Sequence, residues 1–342
     1  MLAVLCRAFG DPSALQVETL PLPEPKAGQV RVRVHAAGVN FADMLMVEGR
    51  YQVKPELPFV PGSEFCGVID ALGPEVEGWK VGERVMGASV EGGFCAEFGC
   101  VPVRRLVRWP EDMPAGVAAG MFIGHGTAWF GLVRRGGLQA GEMVVVTGAG
   151  GGVGVPAIEV AKRSGATVIA AAGSATKLEH ARRYGADAVI NYREEDFRER
   201  VLALTDGRGY DVMFDTIGGD IFDQAVRCGA PFSRLLVVGF ASGRIPAAAT
   251  NRLLLRNISV VGVGGHVVTL GAGEELRRQM DALAAMHAAQ PFQNAVTGVF
   301  GLAEAGAALK RLANREVVGK LLIQPDTETA VAVSPVREAV RL

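Results

Sequence analysis

The sequence has no long apolar run, no excess of one charge and no close pair of cysteines, and each absence removes a class of function. Its most hydrophobic stretches are broken by glycine or a charged residue well before the roughly 18 residues that a membrane-spanning helix requires. No membrane span is expected. Arg7 and Asp11 interrupt the N-terminal segment MLAVLCRAFGDPSALQ before a secretory signal could form, so the expected location is the cytoplasm. Thirty-five basic and 36 acidic side chains nearly cancel. There is thus no global field to draw in nucleic acid or an anionic membrane, and a small-molecule substrate suits the balance. Cys6, Cys66, Cys95, Cys100 and Cys228 are scattered, odd in number and without a CxxC pair, which reads as buried reduced thiols rather than a disulfide framework. His35, His125, His180, His266 and His287 show no H-x3-H spacing of the kind that holds a metal on a helix.

What is present is a length of 342 residues and 49% apolar content, enough for more than one core. Residues 1–125 alternate short β-like runs with Gly and Pro: QVRVRVHAAGV (29–39), FCGVIDALG (65–73) and GERVMGA (82–88). This rhythm predicts a barrel-like or sandwich β domain. From residue 126 to 267 it changes to strand and helix in alternation. The strand runs are EMVVVT (142–147), ATVIAAA (166–172), DAVINY (187–192), YDVMFDTI (210–217), RLLVVGF (234–240) and ISVVGV (258–263). Helical candidates lie at 152–164, 175–184, 194–205 and 219–229. Six apolar strands separated by helices predict an α/β fold with a doubly wound parallel sheet. Residues 268–342 begin with a long helical stretch (273–290) that is expected to lead back to the first domain, and they end in a weakly specified tail at 326–342.

The strand VVVT runs directly into GAGGGVG (148–154) and a helix with Pro156 in its first turn. Glycines there allow a sharp turn and a close approach to a pyrophosphate, and the N–H groups of the helix start hold the anion. Gly151, Gly152, Val153 and Gly154 are the candidate contacts. The strict GxGxxG spacing is absent, because counting back from Gly154 gives Gly151 and Ala149, so the strand-turn-helix context carries most of the inference. The second strand ends in AAAGSATK (170–177), where an NAD site would place an acid on the ribose 2′-hydroxyl. Gly173, Ser174 and Lys177 stand there instead. A neutral pocket with a hydroxyl and an ammonium accommodates a 2′-phosphate, so NADPH is the expected cofactor. Tyr192, at the end of the third strand, flanks the same phosphate or packs on its helix; Lys177 is a phosphate contact or a solvated lysine at a helix start.

Several stretches together resemble the zinc-free quinone oxidoreductase (zeta-crystallin-like) branch of the medium-chain dehydrogenase/reductase superfamily. They are AAGVNFADMLMVEGRY (36–51), PGSEFCGVI (61–69), GTAWFGLVRRGGLQAGEMVVVTGAGGGVG (126–154), YGADAVINYREEDF (184–197) and NREVVGKLLI (314–323). The resemblance covers nearly the whole chain. It implies a GroES-like β-barrel catalytic domain built from both ends of the sequence and a Rossmann domain between them. Zinc-dependent relatives carry a Cys in the segment that here reads GVNFAD and a His in the one that here reads Gly62, Ser63, Glu64. Asn40 and Ser63 occupy those places, so no metal is expected and hydrogen bonds must replace Lewis-acid activation.

The resemblance also implies hydride transfer from NADPH to a quinone or an α,β-unsaturated carbonyl compound. Asn40 and Tyr51 would line the acceptor site and Thr127 would lie near the nicotinamide, each able to donate a hydrogen bond. Each also has a structural reading: a turn residue, a half-buried aromatic and a helix N-cap. Gly239 and Phe240 after the fifth strand, Val263 and Gly264 after the sixth, and Lys320 with Arg315 near the C-terminus are implied cofactor contacts. His125, as an imidazole, is a secondary candidate acid. After GVGG, His266 stands where relatives commonly place an aromatic pair. A homodimer is implied, with ISVVGV pairing across a twofold axis. Two rival functions stay open: reduction of activated alkenes such as 2-alkenals or enoyl thioesters, and cofactor binding with little turnover.

Overall fold

The computed structural model describes residues 1–271 and 273–325; the tail at 326–342 lies outside the described residues. Two compact units emerge, Met1–Ile123 together with the described residues from His266 on, and Gly124–Gly265.

The first unit contains β1 (Leu2–Leu5), β2 (Gln16–Thr19), β3 (Gln29–Val39), α1 (Phe41–Val47), β4 (Glu64–Leu72), β5 (Arg84–Ala88), β6 (Phe98–Pro102), β7 (Leu106–Arg108) and the single turn α2 (Ala115–Ala118). The organising element is β3. Val30, Val32 and Val34 alternate into the core from one face, as a half-buried strand requires. Its eleven residues serve three neighbours: β4 lies along one edge, while the other edge is shared by β6 at Gln29–Arg33 and, at Ala37–Val39, a strand from the C-terminal end of the chain. The sheet therefore branches at β3, and no hydrogen-bonded ring closes among the described residues. The expected barrel is a branched sheet in its hydrogen bonding, because one long strand pairs with two short ones on the same side. Stacked Phe65 and Phe94 rings, 3.6 Å between centroids, sit in its core with Ile69, Val85 and Leu106.

The second unit contains α3 (Gly126–Trp129), β8 (Met143–Thr147), α4 (Gly154–Arg163), β9 (Thr167–Ala172), α5 (Ala175–Arg183), β10 (Ala188–Asn191), α6 (Phe197–Ala203), β11 (Tyr210–Asp215), α7 (Gly219–Ala225), β12 (Gly229–Val237), α8 (Thr250–Arg256) and β13 (Ser259–Gly262). All six strands are parallel in the order β10-β9-β8-β11-β12-β13. Val144, Val145 and Val146 are fully buried, since helices cover both faces of such a sheet. Strand order reverses between β8 and β11, the place where an open α/β sheet receives its ligand. Two details were not expected. Helix α8 buries none of its residues, and β12 begins at Gly229, with Phe232 at φ 66° and 70% exposed. Around α3 the chain is continuously helical, with π-helical turns at Met121–His125 and Phe130–Arg135.

The described chain ends with α9 (Gly265–Gly271), α10 (Glu274–Ala289), β14 (Val296–Phe300), α11 (Ala305–Ala313) and β15 (Lys320–Ile323). β15 is the strand on β3: Leu321 pairs with Val39, so Lys320 arrives beside Asn40 from 280 residues away. No described helix is long and apolar enough to cross a membrane.

Candidate active site

In the second unit, β8 ends at Thr147 and the glycine turn follows. Gly148 has φ 61°, and a Cβ on it would meet the Thr216 hydroxyl at 2.3 Å; a Cβ on Gly154 would meet the Gly148 carbonyl at 2.2 Å. Neither position admits a side chain. The turn is closed by Gly151 N–H donating to Gly148 O (3.0 Å), and Val155 N–H then donates to Gly151 O (3.0 Å) as α4 begins. Gly152 and Val153 occupy the turn between them. Thr147 Oγ1 donates to Asp215 Oδ1 (2.7 Å), and the same carboxylate accepts from Ile217 and Gly218 N–H, which ties the ends of β8 and β11 together at the switch point. Burial pushes the Asp215 carboxyl up.

At the end of β9, Ser174 caps α5, accepting from Lys177 N–H (3.4 Å). The Lys177 stem packs on the glycine turn: a Cβ on Gly150 would lie 2.6 Å from Lys177 Cβ. Tyr192 is half-buried, with its ring beside Gly173. Gly173, Ser174, Lys177 and Tyr192 are therefore brought together. Gly239 approaches the Thr216 carbonyl, Phe240 is partly exposed, and Val263 is buried with its N–H on Val237 O (2.9 Å), Gly264 following it.

Thr127 does not cap a helix; the run from Met121 to Arg135 is helical through it, so the capping role is corrected. Its hydroxyl lies at the space a Cβ of Gly265 would enter (3.1 Å). His125, two residues before it, is buried with Nε2 3.1 Å from Glu159 Oε2, and Arg163 lies 3.4 Å from the other oxygen of Glu159. Because Glu159 is on α4, this contact fixes the Thr127 segment to the helix that carries the glycine turn. Gly124 packs as tightly on that turn, 2.9 Å from Gly152 O to an ideal Cβ. His125 thus has a structural partner, which reduces its case as an acid.

The first unit holds a buried polar cluster around Asn40, the N-cap of α1. Asn40 N–H donates to Asp43 Oδ2 (2.9 Å), completing a turn of the capping-box kind. The Asn40 side chain is engaged throughout. Its amide nitrogen donates to Gly38 O (3.1 Å) and Glu64 Oε1 (3.0 Å), while Oδ1 accepts from Lys320 Nζ (2.7 Å). Lys320 Nζ also donates to Glu64 Oε1 at 2.5 Å, and Glu64 Oε2 accepts from Ile123 N–H (2.9 Å). Ser63 Oγ donates to Asp43 Oδ1. Gly38 is required here, because a Cβ would overlap the Ala119 carbonyl and the Glu64 side chain. Glu64 and Lys320 side chains are 1% and 6% exposed. Burial dominates the Asp43 carboxyl and pushes it up to about 6, against the hydrogen bonds from Ser63 and Asn40 and the Lys320 charge. Tyr51 is half-buried, and burial first, then the Asp43 charge, raises its hydroxyl.

These donors do not fit a zinc ion. Asn40 and Ser63 have their polar atoms committed to neighbours, and an ammonium already bridges Asn40 and Glu64. Lys320, expected beside the cofactor, spends two of its three N–H groups on this acceptor-side cluster. Asp43 and Glu64 were not singled out in the sequence. The carboxylate three residues after a helix-capping Asn was the available signal for Asp43. Four of the five cysteines are buried and Cys100 is half-buried, all reduced.

The alcohol dehydrogenase GroES-like domain family matches residues 26–111 and the zinc-binding dehydrogenase family residues 152–284. A quinone oxidoreductase-like protein 2 homolog of Nematostella vectensis is 35% identical over 94% of this chain and 88% of its own length. A mycobacterial protein solved in complex with NADPH superimposes with a TM-score of 0.88 at 32% identity, covering 95% of this chain and all of that one. The CurK enoyl reductase superimposes at 0.84 with 25% identity, covering 94% and 98%. The glycine turn, the branched sheet with Asn40 and Lys320 at its centre and these similarities lead to one assignment: the chain is an oxidoreductase of the quinone oxidoreductase family within the medium-chain dehydrogenase/reductase superfamily.

Proposed function

We propose that the chain is an NADPH-dependent, metal-independent reductase of quinones or related conjugated carbonyl compounds. The observation that carries this reading is the Lys320 ammonium held on Asn40 and Glu64 at the position that zinc-dependent relatives give to metal ligands. NADPH supplies the hydride. Gly152, Val153 and Gly154 present backbone N–H groups to its pyrophosphate, while Gly151, whose N–H closes the turn on Gly148 O, lets the backbone approach it closely. Gly173, Ser174, Lys177 and Tyr192 take the 2′-phosphate, with no carboxylate at the end of β9 to repel it. Gly239, Phe240, Val263, Gly264 and Thr127 border the nicotinamide half.

Reduction of a carbonyl-conjugated acceptor leaves negative charge on its oxygen, and a fixed donor in a dry site stabilises that charge. Both Asn40 amide hydrogens are already engaged, so Asn40 orients and Lys320, with one N–H remaining, donates. Tyr51 is the second donor, a phenol whose O–H burial holds more firmly than usual. The test is NADPH oxidation against a panel of quinones, enals and enoyl thioesters. Turnover with quinones supports the reading. Preference for enoyl thioesters favours the second one, hydride delivery to an activated alkene, which the enoyl reductase likeness supports. Tight NADPH binding with no turnover on any acceptor contradicts both.

The reading extends to a homodimer. β13 is an edge strand, and beside it in the sequence Leu254 and Leu255 of α8 are 77% and 75% exposed. A second copy pairing β13 with β13 across a twofold axis satisfies the open edge.

A further inference from the structure

We infer that Arg193 is a second cation of the 2′-phosphate site and sets the preference for NADPH over NADH, an inference that rests on the NADPH reading above. Arg193 follows Tyr192 at the end of β10, and its backbone is fixed by its N–H donating to Asn191 Oδ1 (3.3 Å). Its side chain passes close to the end of β9: a Cβ on Gly173 would meet Arg193 Nε at 3.0 Å, Tyr192 Cε2 at 3.2 Å and Arg193 Cδ at 3.3 Å. A side chain at 173 would crowd Arg193 and Tyr192, so glycine lets both lie close to the end of β9.

Among the described residues no carboxylate pairs with Arg193. The nearby Glu195 is committed elsewhere, to Arg200 (2.6 Å) and to the N–H of Asn191 (2.9 Å). An exposed cation without a counter-charge therefore borders the segment that carries Ser174 and Lys177. The nine-residue helix α5 adds the positive end of its dipole at Ser174. Ser174 Oγ accepts from within the helix, which leaves its O–H to donate outward. Lys177 is a point charge anchored on the glycine turn, whereas a guanidinium grips a phosphate through two parallel N–H groups. Together they complement the doubly charged 2′-phosphate and have nothing to grip on the 2′-hydroxyl of NADH.

The experiment measures dissociation constants of NADPH, NADH and 2′,5′-ADP by nicotinamide fluorescence and calorimetry, on wild type, Arg193→Ala and Arg193→Lys. Arg193→Ala is expected to weaken NADPH and 2′,5′-ADP by about tenfold, the scale of one charge-assisted contact, and to leave NADH unchanged. Arg193→Lys recovers part of the loss, and the salt dependence of NADPH binding becomes shallower in Arg193→Ala. Equal weakening of NADPH and NADH, or no change in either, overturns the assignment. If wild type binds NADPH no better than NADH, the 2′-phosphate site itself is refuted and Arg193 with it. Selectivity of wild type and its change in the variant thus separate the two failures. Unfolding midpoints of the variants should match wild type, since the side chain is exposed.

Discussion

Two carboxyl groups and one ammonium share the buried surroundings of Asn40, and the single lysine cannot neutralise both. Glu64 takes Lys320 directly, while Asp43 carries the desolvation and holds its proton up to about 6. Between the ordinary value of 3.8 and about 6, the unfolded chain has lost that proton and the folded chain keeps it. Asp43 therefore contributes stability that is present in full below this window and is lost as pH rises through it, by roughly 3 kcal/mol. Asp43→Asn, which keeps the shape and cannot titrate, should flatten that part of the stability profile; urea unfolding across pH 4 to 7 compares the two, on a scale set by the ordinary and raised carboxyl values. Removing one partner of the buried pair acts differently. Glu64→Gln leaves the Lys320 ammonium buried without its carboxylate and should lower the unfolding free energy by about 3 kcal/mol, with most of the loss recovered in the double variant that adds Lys320→Met. Equal losses in single and double variants would show that the pair is not coupled.

At the scale of elements, the glycine turn makes the sharpest demand. Gly154→Ala forces a methyl into the Gly148 carbonyl, so the turn must open. It should cost about 1–3 kcal/mol of stability and weaken NADPH and NADH alike, because the pyrophosphate cradle is common to both. Binding titrations of both nucleotides check this, and selective loss of one would contradict it. Elements with strong local periodicity were legible in the sequence: β8, β9 and β11 are runs of buried apolar residues bounded by turns, and α4 follows directly from the turn chemistry. Helix α8 was not, because none of its residues is fully buried and only Leu253 packs partly against the core, which leaves no apolar stripe. The branching of β3 was also hidden, since a strand's pattern records which face is buried and not how many partners its edge carries. Asn40 was readable as a site residue through resemblance. Lys320 was named by resemblance too, but as a cofactor contact; its pairing with Asn40, 280 residues distant, and the placing of Arg193 against Gly173 come from strand register and a missing Cβ, neither of which has a local signature.

For the whole molecule, the most exposed large apolar side chains among the described residues lie late in the second unit: Phe232, Ile245, Leu254 and Leu255, with Val260 exposed on the edge strand. Burying them against a second copy would extend the six-stranded sheet to twelve across a twofold axis. Val260→Asp would then bring two like charges near that axis and should shift the protein to monomer in light scattering; a monomeric wild type would contradict the dimer. The metal-independent hydride transfer proposed for the chain is tested most directly by steady-state NADPH oxidation with a quinone after exhaustive chelation. The account predicts that NADPH and quinone are consumed mole for mole and that chelation leaves the rate unchanged. Activity that disappears with a chelated metal and returns with zinc, or no turnover with any quinone or conjugated carbonyl compound, would contradict it.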